Sequence, residues 1–310
     1  MGHVADRSAC PGCGENSSSE LLSRPFLSSS IQGFLVDFYR AQGSIEIGQL
    51  KGADYVLAEC RGCGLIWQRF ILDEFLMHRL YEQWIDPSQS LHRHRQYGLD
   101  NYISYAEEIM KILAFFHRIP AKIRVLDFGT GWCEWIRMAH GFGCEAYGTD
   151  LAKAKLDYAA TQGIRTVALE AIPEASFDVI HTEQVFEHLP NPREILFKLA
   201  AALRPGGLLK VSVPNADGIR MQLRRLPHDF QPARFRNDLL AVQPLEHINS
   251  FSRDPLIKMA SMCGLQPIRF SSKVTWGYQT IRTLVQTIRA TLGRTEKAAR
   301  GLCVFFTKGT

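Results

Sequence analysis

The chain has 310 residues, of which 46% are apolar and 22% are charged, and its formal net charge is +5. These values describe a globular chain long enough for one large domain and one small one, and they exclude a mainly disordered protein. The positive charge is modest and spread along the chain, so it does not favour a nucleic-acid partner. No stretch approaches the roughly 18 apolar residues of a membrane-spanning helix, and the amino-terminal residues lack an apolar export signal. We therefore expect a cytoplasmic protein with no membrane partner.

Two nearly identical pentapeptides, at residues 10–14 and 60–64, share the pattern Cys-x-x-Cys-Gly. Each brings two thiols within reach of one ion, and two such hairpins complete the tetrahedral sulfur site that zinc prefers. Two disulfides, a redox dithiol and a chance clustering of thiols are the alternatives. The sequence favours a structural Zn2+ site formed by Cys10, Cys13, Cys60 and Cys63.

The first part of the chain predicts a small, ribbon-like zinc-binding domain over residues 1–85. Apolar residues recur at helical spacing over residues 31–39, and short apolar runs at residues 55–59 and 65–67 predict strands on either side of the second hairpin. An amphipathic helix is predicted over residues 73–84.

Residues 86–120 are predicted to form a linker and a helix. Residues 91–100 are polar and contain two histidines and two arginines, so we interpret this stretch as a linker or a lid. The apolar pattern then predicts a helix over residues 101–117, which ends before Pro120.

After Pro120, short apolar runs alternate with helical segments, which is typical of a parallel α/β sheet. We therefore predict an α/β fold in which residues 121–310 form a Rossmann-like sheet of seven strands. A long helix is expected over residues 278–292, before the last strand. The strands are expected at residues 124–128, 145–149, 166–169, 177–182, 208–213, 267–271 and 302–307.

The first of these strands ends in an acidic residue and a glycine turn. The run from Val125 to Gly131 reads Val-Leu-Asp-Phe-Gly-Thr-Gly. Glycines at the carboxyl end of a parallel strand let the backbone approach a ligand, and Asp150, after the next strand, can accept hydrogen bonds from ribose hydroxyls. A pyrophosphate-binding motif needs a third glycine where this chain has Glu134. The pattern therefore favours a cofactor without phosphates, such as S-adenosylmethionine, whose ammonium Asp127 can attract.

Several blocks in the same order resemble the class I S-adenosylmethionine-dependent methyltransferases over roughly residues 122–308. They include the glycine block, the exit of the fourth strand at residues 177–189 and the turn Leu-Arg-Pro-Gly-Gly-Leu-Leu at residues 203–209. The cysteine hairpins resemble the zinc-binding module of bacterial methyltransferases that act on sugars and natural products. The resemblance implies a cofactor site that contains Asp127, Gly129, Gly131, Asp150 and Glu183.

Methyl transfer from a sulfonium mainly requires a positioned nucleophile and, where it is protonated, the removal of its proton. Histidine suits that role near neutral pH. The resemblance implies that His188 lies near the methyl group and that His247 faces the substrate. We therefore predict both histidines to be catalytic, with Glu187 and Glu246 beside them as orienting carboxylates; structural roles as a helix cap or a loop tether are the alternatives.

The predicted function is methyl transfer to a small-molecule acceptor, with a sugar nucleotide or a natural-product intermediate as candidates. Arginines after the fifth strand match phosphate geometry and indicate an anionic acceptor, although a solvated charged loop would show the same pattern. An RNA methyltransferase whose ribbon binds nucleic acid and a scaffold without catalysis are the alternative functions. The acceptor's identity, the kind of atom that is methylated and the oligomeric state stay open at this point.

Overall fold

The structure is a computed structural model that describes residues 4–40, 42–96, 98–228, 230–270 and 301–309. The strands are β1 Val4–Asp6, β2 Ser18–Pro25, β3 Asp54–Cys60, β4 Ile66–Gln68, β5 Phe70–Leu72, β6 Arg124–Phe128, β7 Glu145–Thr149, β8 Arg165–Thr166, β9 Phe177–Glu183, β10 Leu203–Val213, β11 Asn249–Ser250, β12 Leu265–Ile268 and β13 Leu302–Lys308. The α-helices are α1 Ser29–Arg40, α2 Glu74–Arg79, α3 Pro87–His94, α4 Leu99–Phe116, α5 Glu134–Gly141, α6 Lys153–Thr161, α7 Pro192–Ala202, α8 Ile219–Arg224, α9 Arg234–Asn237 and α10 Arg253–Met262.

The largest sheet has seven strands in the order β12-β13-β10-β9-β6-β7-β8, which confirms the predicted α/β fold. Strands β8, β7, β6, β9 and β10 run parallel to one another, whereas β13 is antiparallel to both β10 and β12. The chain leaves β6 towards β7 on one side and later returns to β9 on the other side. The carboxyl end of β6 is therefore the switch point of the sheet, where open α/β folds bind their ligands.

Two predicted segments differ from the observed ones. The polar stretch at residues 91–100 was interpreted as a linker or a lid. Its first four residues instead belong to helix α3, and its last two begin helix α4. The third strand of the large sheet is only two residues long, because residues 169–171 turn into a 3-10 helix. The helix expected over residues 278–292 lies outside the described residues, as does the end of the strand expected at residues 267–271.

The smaller, four-stranded sheet has the order β11-β4-β3-β2 and carries the second cysteine hairpin between β3 and β4. Its edge strand β11 comes from a much later part of the chain and pairs antiparallel with β4. The ribbon sheet, as we call these four strands, is thus completed by residues that follow the large sheet's strand β10. The domain boundaries at residues 85 and 120 stay a prediction.

Polar side chains tie the ribbon sheet to the rest of the chain. The Arg7 guanidinium donates to the carbonyl of Ile248 at 2.6 Å and to Asn249 Oδ1 at 2.9 Å. The buried Gln68 side chain donates to the carbonyls of Gln243 and His247 at 2.9 and 3.0 Å. Because these acceptors all lie in residues 243–249, Arg7 and the ribbon-sheet residue Gln68 together fix that segment.

Apolar packing joins the same regions. One buried cluster contains the cysteine hairpins together with Phe186 and Phe251, and a second joins α1 and β3 to residues 216–245, where the Phe34 and Phe235 ring centroids lie 4.9 Å apart. Burial of this apolar surface stabilises the contact between the two regions. Among the described residues, no helix has the length and apolar character that crossing a membrane requires.

Candidate active site and cysteine cluster

The glycine loop between β6 and α5 turns sharply at the switch point. Gly129 and Gly131 both have left-handed backbone, with φ angles of 76° and 53°. A Cβ atom at Gly129 would lie 2.3 Å from Cγ2 of Val185, in the loop that follows β9. Only glycine therefore fits at position 129. Cys133, which precedes α5, also has a positive φ of 70° although it carries a side chain.

Asp150 lies beside this loop at the end of β7. Its Oδ2 accepts a hydrogen bond from the Gly131 amide at 3.0 Å, and its Oδ1 accepts one from the Ala152 amide at 3.0 Å. A carboxylate offers about four lone-pair positions, so Asp150 keeps acceptor capacity for two ribose hydroxyls while the loop holds it in place. This geometry fits the predicted nucleoside contact.

Asp127, His181 and Lys210 form a buried polar row across three neighbouring strands, in which the register pairs each residue with the next. Asp127 Oδ1 lies 2.6 Å from His181 Nδ1, and Lys210 Nζ lies 2.9 Å from His181 Nε2. The second Asp127 oxygen accepts from the Thr130 hydroxyl at 3.0 Å, and Trp135 stacks on His181 at 3.9 Å between ring centroids. Asp127 is thus held beneath the glycine loop rather than open to solvent.

Glu183 extends this row towards solvent, because its side chain is 37% exposed and its Oε2 lies 2.8 Å from Lys210 Nζ. Glu108, from helix α4, lies 3.4 Å from the same ammonium. Burial alone would lower the pKa of Lys210, but these two carboxylates raise it above its usual range. Two carboxylates thus flank Lys210, and a third, that of Asp127, lies on the far side of His181. The acidic groups of this wall suit a cationic ligand such as a sulfonium.

His188 and His247 lie together on the other side of the glycine loop, with ring centroids 5.2 Å apart. The Nδ1 atom of His188 lies 2.8 Å from the carbonyl oxygen of Glu246, and that of His247 lies 2.5 Å from the carbonyl oxygen of Leu240. A carbonyl can only accept, so both Nδ1 atoms carry the proton and both Nε2 atoms keep a free lone pair. Burial lowers the pKa of His188 to about 3 and that of His247 to about 4, so both rings are neutral.

Glu187 completes this group, with its Oε1 3.8 Å from His188 Nε2. The side chain is 1% exposed, and within the described residues neither carboxylate oxygen has a hydrogen-bond partner. Burial raises the pKa of Glu187 to about 8, and the nearby carboxylates Glu183 and Glu246 add to the shift. Such a buried, unpaired carboxylate is costly, which marks this cluster as functional.

The four paired cysteines meet at the edge of the ribbon sheet. Cys10 Sγ lies 3.6 Å from Cys63 Sγ, and Cys13 Sγ lies 3.5 Å from Cys60 Sγ. These separations are far longer than a disulfide bond of about 2.0 Å and approach the roughly 3.8 Å expected between sulfurs around a tetrahedral zinc ion. The cysteine cluster therefore fits one Zn2+ ion.

Comparison with known proteins identifies the family. A family model described as a methyltransferase domain matches residues 92–269, which is more than half of the chain. The chain belongs to this methyltransferase family. The prediction of a class I S-adenosylmethionine-dependent methyltransferase, made from the sequence blocks, is thereby confirmed.

Similar proteins agree with this assignment. The methyltransferase is 31% identical to a ubiquinone biosynthesis O-methyltransferase of Idiomarina loihiensis over 30% of this chain and 42% of that protein. It is 28% identical to the enzyme of that name from Nitrosococcus oceani over 48% of this chain and 69% of that protein. The chain thus spans between 42% and 69% of the length of these two curated relatives. The plantazolicin methyltransferase, solved with S-adenosylhomocysteine and a desmethyl analogue, superposes with a TM-score of 0.50 at 15% identity and covers 76% of this chain and 95% of that one.

The predicted site residues of this methyltransferase stay a prediction, and the structure places further side chains beside them. We did not predict from the sequence that His181 and Lys210 join Asp127 in a buried polar row. A lysine within the apolar run of β10 is the sequence feature that could have indicated it. Asn249 was also missed. Its buried side chain donates to the carbonyls of Phe186 and Leu189, at 3.0 and 2.7 Å, on either side of Glu187 and His188.

Proposed function

We propose that this chain transfers the methyl group of S-adenosylmethionine to a small-molecule acceptor, with the cofactor at the glycine loop and the acceptor beside His188 and His247. The observation that carries the proposal is the contact between Val185 and Gly129, because it joins the donor loop directly to the loop that bears His188. Donor and acceptor sites therefore lie side by side, as in-line methyl transfer requires.

The donor half of the proposal rests on the glycine loop and its acidic neighbours. Gly129 and Gly131 open the backbone to the ligand, and Asp150 would hold the ribose. The partly exposed Glu183 gives the cleft a negative wall, and Asp127 would attract the cofactor from beneath the loop. When bound, S-adenosylmethionine supplies an electrophilic methyl group on a sulfonium. The residues of this chain bind and orient it, and the negative wall favours its positive charge.

The acceptor half rests on the histidine pair. Both Nε2 atoms keep a lone pair, and both rings are neutral, so either histidine can take part in removing the proton of an attacking hydroxyl. We propose His188 and His247 as the catalytic residues for that step. The curated relatives are named as O-methyltransferases of ubiquinone biosynthesis, which favours a hydroxyl as the nucleophile here.

The finer identity of the acceptor follows the resemblance seen in the sequence. We propose a sugar-linked or natural-product intermediate, with an anionic group as one of its features. Arg220, in α8, pairs with Glu59, and Arg234 pairs with Asp238 at 3.0 Å, so part of the arginine group already has carboxylate partners. An anionic acceptor would have to use the remaining guanidinium groups of that segment.

We further propose that the cysteine cluster binds a structural zinc ion that supports the acceptor site. A site of four cysteines leaves no open position for catalysis. Gln68 of the ribbon sheet and Arg7, which precedes the first cysteine hairpin, instead hold residues 243–249. Asn249 in turn holds the loop around His188. Zinc would therefore act on the acceptor site through the backbone that carries it.

Calorimetric titration with S-adenosylmethionine tests the donor site. Asp150→Ala should weaken binding by at least about 10-fold, because the ribose hydroxyls lose an acceptor whose worth is about 1.5–3 kcal/mol. Asp157→Ala is the matched control, since Asp157 lies on α6 with a largely exposed side chain that pairs with Lys153. Equal affinity of the two variants for the cofactor would refute the proposed donor site.

A further inference from the structure

We propose that Glu187, His188 and His247 bind one divalent transition-metal ion on the acceptor side of the cleft. The inference rests on the proposed methyl-transfer function and deepens it, because it states what the histidine pair holds. With an ion bound, the two histidines would act on the acceptor through that ion rather than as free bases.

The geometry of the three donors supports an ion. One ligand atom from each residue, two imidazole nitrogens and a carboxylate oxygen, lies within 4.8 Å of the other two. Such separations let all three donors reach one centre at ordinary metal–ligand distances of about 2.0–2.2 Å. The three side chains come from two segments, residues 187–188 and residue 247, which meet only in the folded protein.

The orientation of the histidines supports it independently. Each ring donates its Nδ1 proton to a backbone carbonyl, to Glu246 in one case and to Leu240 in the other. Metal-binding histidines are usually held in this way, because the outer hydrogen bond fixes the tautomer and turns Nε2 towards the metal.

The environment of the Glu187 carboxylate also supports a bound ion. Its carboxylate is buried, and within the described part of the chain it accepts no hydrogen bond. A comparably buried carboxylate, Asp178, accepts bonds from the Arg124 amide at 2.9 Å and from the guanidinium groups of Arg118 and Arg204 at 2.5 and 2.9 Å. Among the residues that the structure describes, no arginine or lysine contacts Glu187, and a bound metal ion would give this buried carboxylate a partner.

The donor set selects the class of ion. Two imidazoles and one carboxylate suit zinc, iron, cobalt, manganese or nickel, whereas calcium and magnesium prefer oxygen ligands. Three protein ligands leave at least one coordination position open. That open position distinguishes this site from the closed site formed by the four cysteines.

An ion at this position would act on the acceptor as a Lewis acid. Coordination lowers the pKa of a hydroxyl, so that its proton leaves to solvent near neutral pH. The freed electron pair on oxygen forms the new bond to the methyl carbon, the carbon–sulfur bond breaks, and its electrons stay on sulfur. The products are the methylated acceptor, S-adenosylhomocysteine and one released proton.

Titration of the metal-free full-length chain with Co2+ alone tests the proposal. The wild type should bind two Co2+ ions per chain. The ion in the cysteine cluster should show the absorption of a cobalt–thiolate complex, and the ion at Glu187, His188 and His247 should not. Glu187→Gln and His247→Ala should each weaken the second site by at least about 100-fold, since even the loss of an outer partner of a metal ligand costs roughly 10–100-fold. His140→Ala, which removes an exposed histidine on α5, should still bind two ions.

The outcomes separate this inference from the proposed function. A wild type that binds only the thiolate-type ion, or a second ion that Glu187→Gln and His247→Ala both retain, would overturn the metal site. Calorimetry with S-adenosylmethionine should detect binding with and without Co2+, because the donor loop does not use the ion. Absence of cofactor binding in both states would instead overturn the proposed function, whatever the metal count.

Discussion

The cysteine cluster and the Glu187–His188–His247 cluster are both groups of ligand-type side chains, but the chain builds them differently. Each pair of cysteines is three residues apart within one hairpin, so local turns already bring two sulfurs together. The second cluster joins residues 187–188 to residue 247, and its two segments meet only through tertiary contacts. Local spacing therefore reveals the first cluster, whereas the second depends on the packing around it.

The two clusters are also connected. The ribbon sheet that carries Cys60 and Cys63 includes β11, and Asn249 in β11 holds the loop around His188. We propose that the two clusters have different roles. The cysteine cluster would stabilise the ribbon sheet, and the Glu187–His188–His247 cluster beside that sheet would act on the acceptor.

The largest expected effect is on the closed site. Cys60→Ser should abolish zinc binding and lower the melting temperature strongly. The binding free energy of a structural zinc ion, roughly 10–16 kcal/mol in small zinc-binding peptides, is coupled to folding. Metal analysis and thermal unfolding of the purified protein measure both effects. Cys263→Ser is the control, since Cys263 lies outside the cluster. Retention of one zinc per chain in Cys60→Ser would contradict the four-cysteine assignment.

The next effect concerns the contact that joins the donor loop to the loop of the second cluster. Gly129→Ala should lower the free energy of unfolding by about 2–5 kcal/mol, because it combines left-handed backbone with an overlap against Val185. Gly163→Ala is a matched control, with a similar φ of 74° and no atom within 4 Å of the added carbon. Denaturant unfolding measures both variants, and the double variant Gly129→Ala/Val185→Ala should recover part of the loss. Equal losses in the two single variants would show that the contact is unimportant.

The link between the clusters gives a third prediction. Asn249→Ala removes the side-chain donor from the carbonyls of Phe186 and Leu189, and the Phe186 carbonyl keeps only the long bond from the Leu189 amide at 3.5 Å. This loss should cost on the order of 1–3 kcal/mol. It should also weaken Co2+ binding at the second cluster while the thiolate-type site stays intact. Asn215→Ala, in an exposed turn, is the control. Unchanged Co2+ binding at both sites would mean that the platform does not support the second cluster.

The smallest expected effects concern two buried carboxylates, Asp178 and Glu187. Burial alone would raise the pKa of Asp178, but the Arg124 amide, Arg118 and Arg204 outweigh it and lower that pKa. Asp178→Asn should therefore cost about 1–2 kcal/mol at neutral pH. Because the folded pKa lies below the unfolded value, this contribution is complete above about pH 4 and is lost as the pH falls through the folded pKa.

Glu187→Gln is the counterpart of that variant. In metal-free protein it should leave the free energy of unfolding unchanged or raise it slightly, because it removes a buried carboxylate that lacks a partner. Urea unfolding of both variants at neutral pH and at pH 3 measures the difference. A larger loss in Glu187→Gln than in Asp178→Asn would mean that Glu187 is already paired without an ion.

The amino-acid sequence by itself determined the features that depend on neighbouring residues. The alternation of apolar runs and helices predicted the large sheet, the glycine block at residues 125–131 predicted the switch-point loop, and the cysteine spacing predicted the meeting of four thiols. These patterns reflect hydrogen bonding and burial over short distances, so the sequence contains them directly. The small strand β11 left no comparable pattern, because two residues are too few for a period.

Tertiary structure alone decided which distant side chains meet. The row from Asp127 through His181 to Lys210 exists because three strands pair in one register. Glu187 is a buried acidic group only because the segments around it exclude water. Strand order, register and desolvation are properties of the whole fold, and no local spacing encodes them. The ligand set of the second cluster therefore emerged from the folded chain, whereas that of the cysteine cluster was already visible in the sequence.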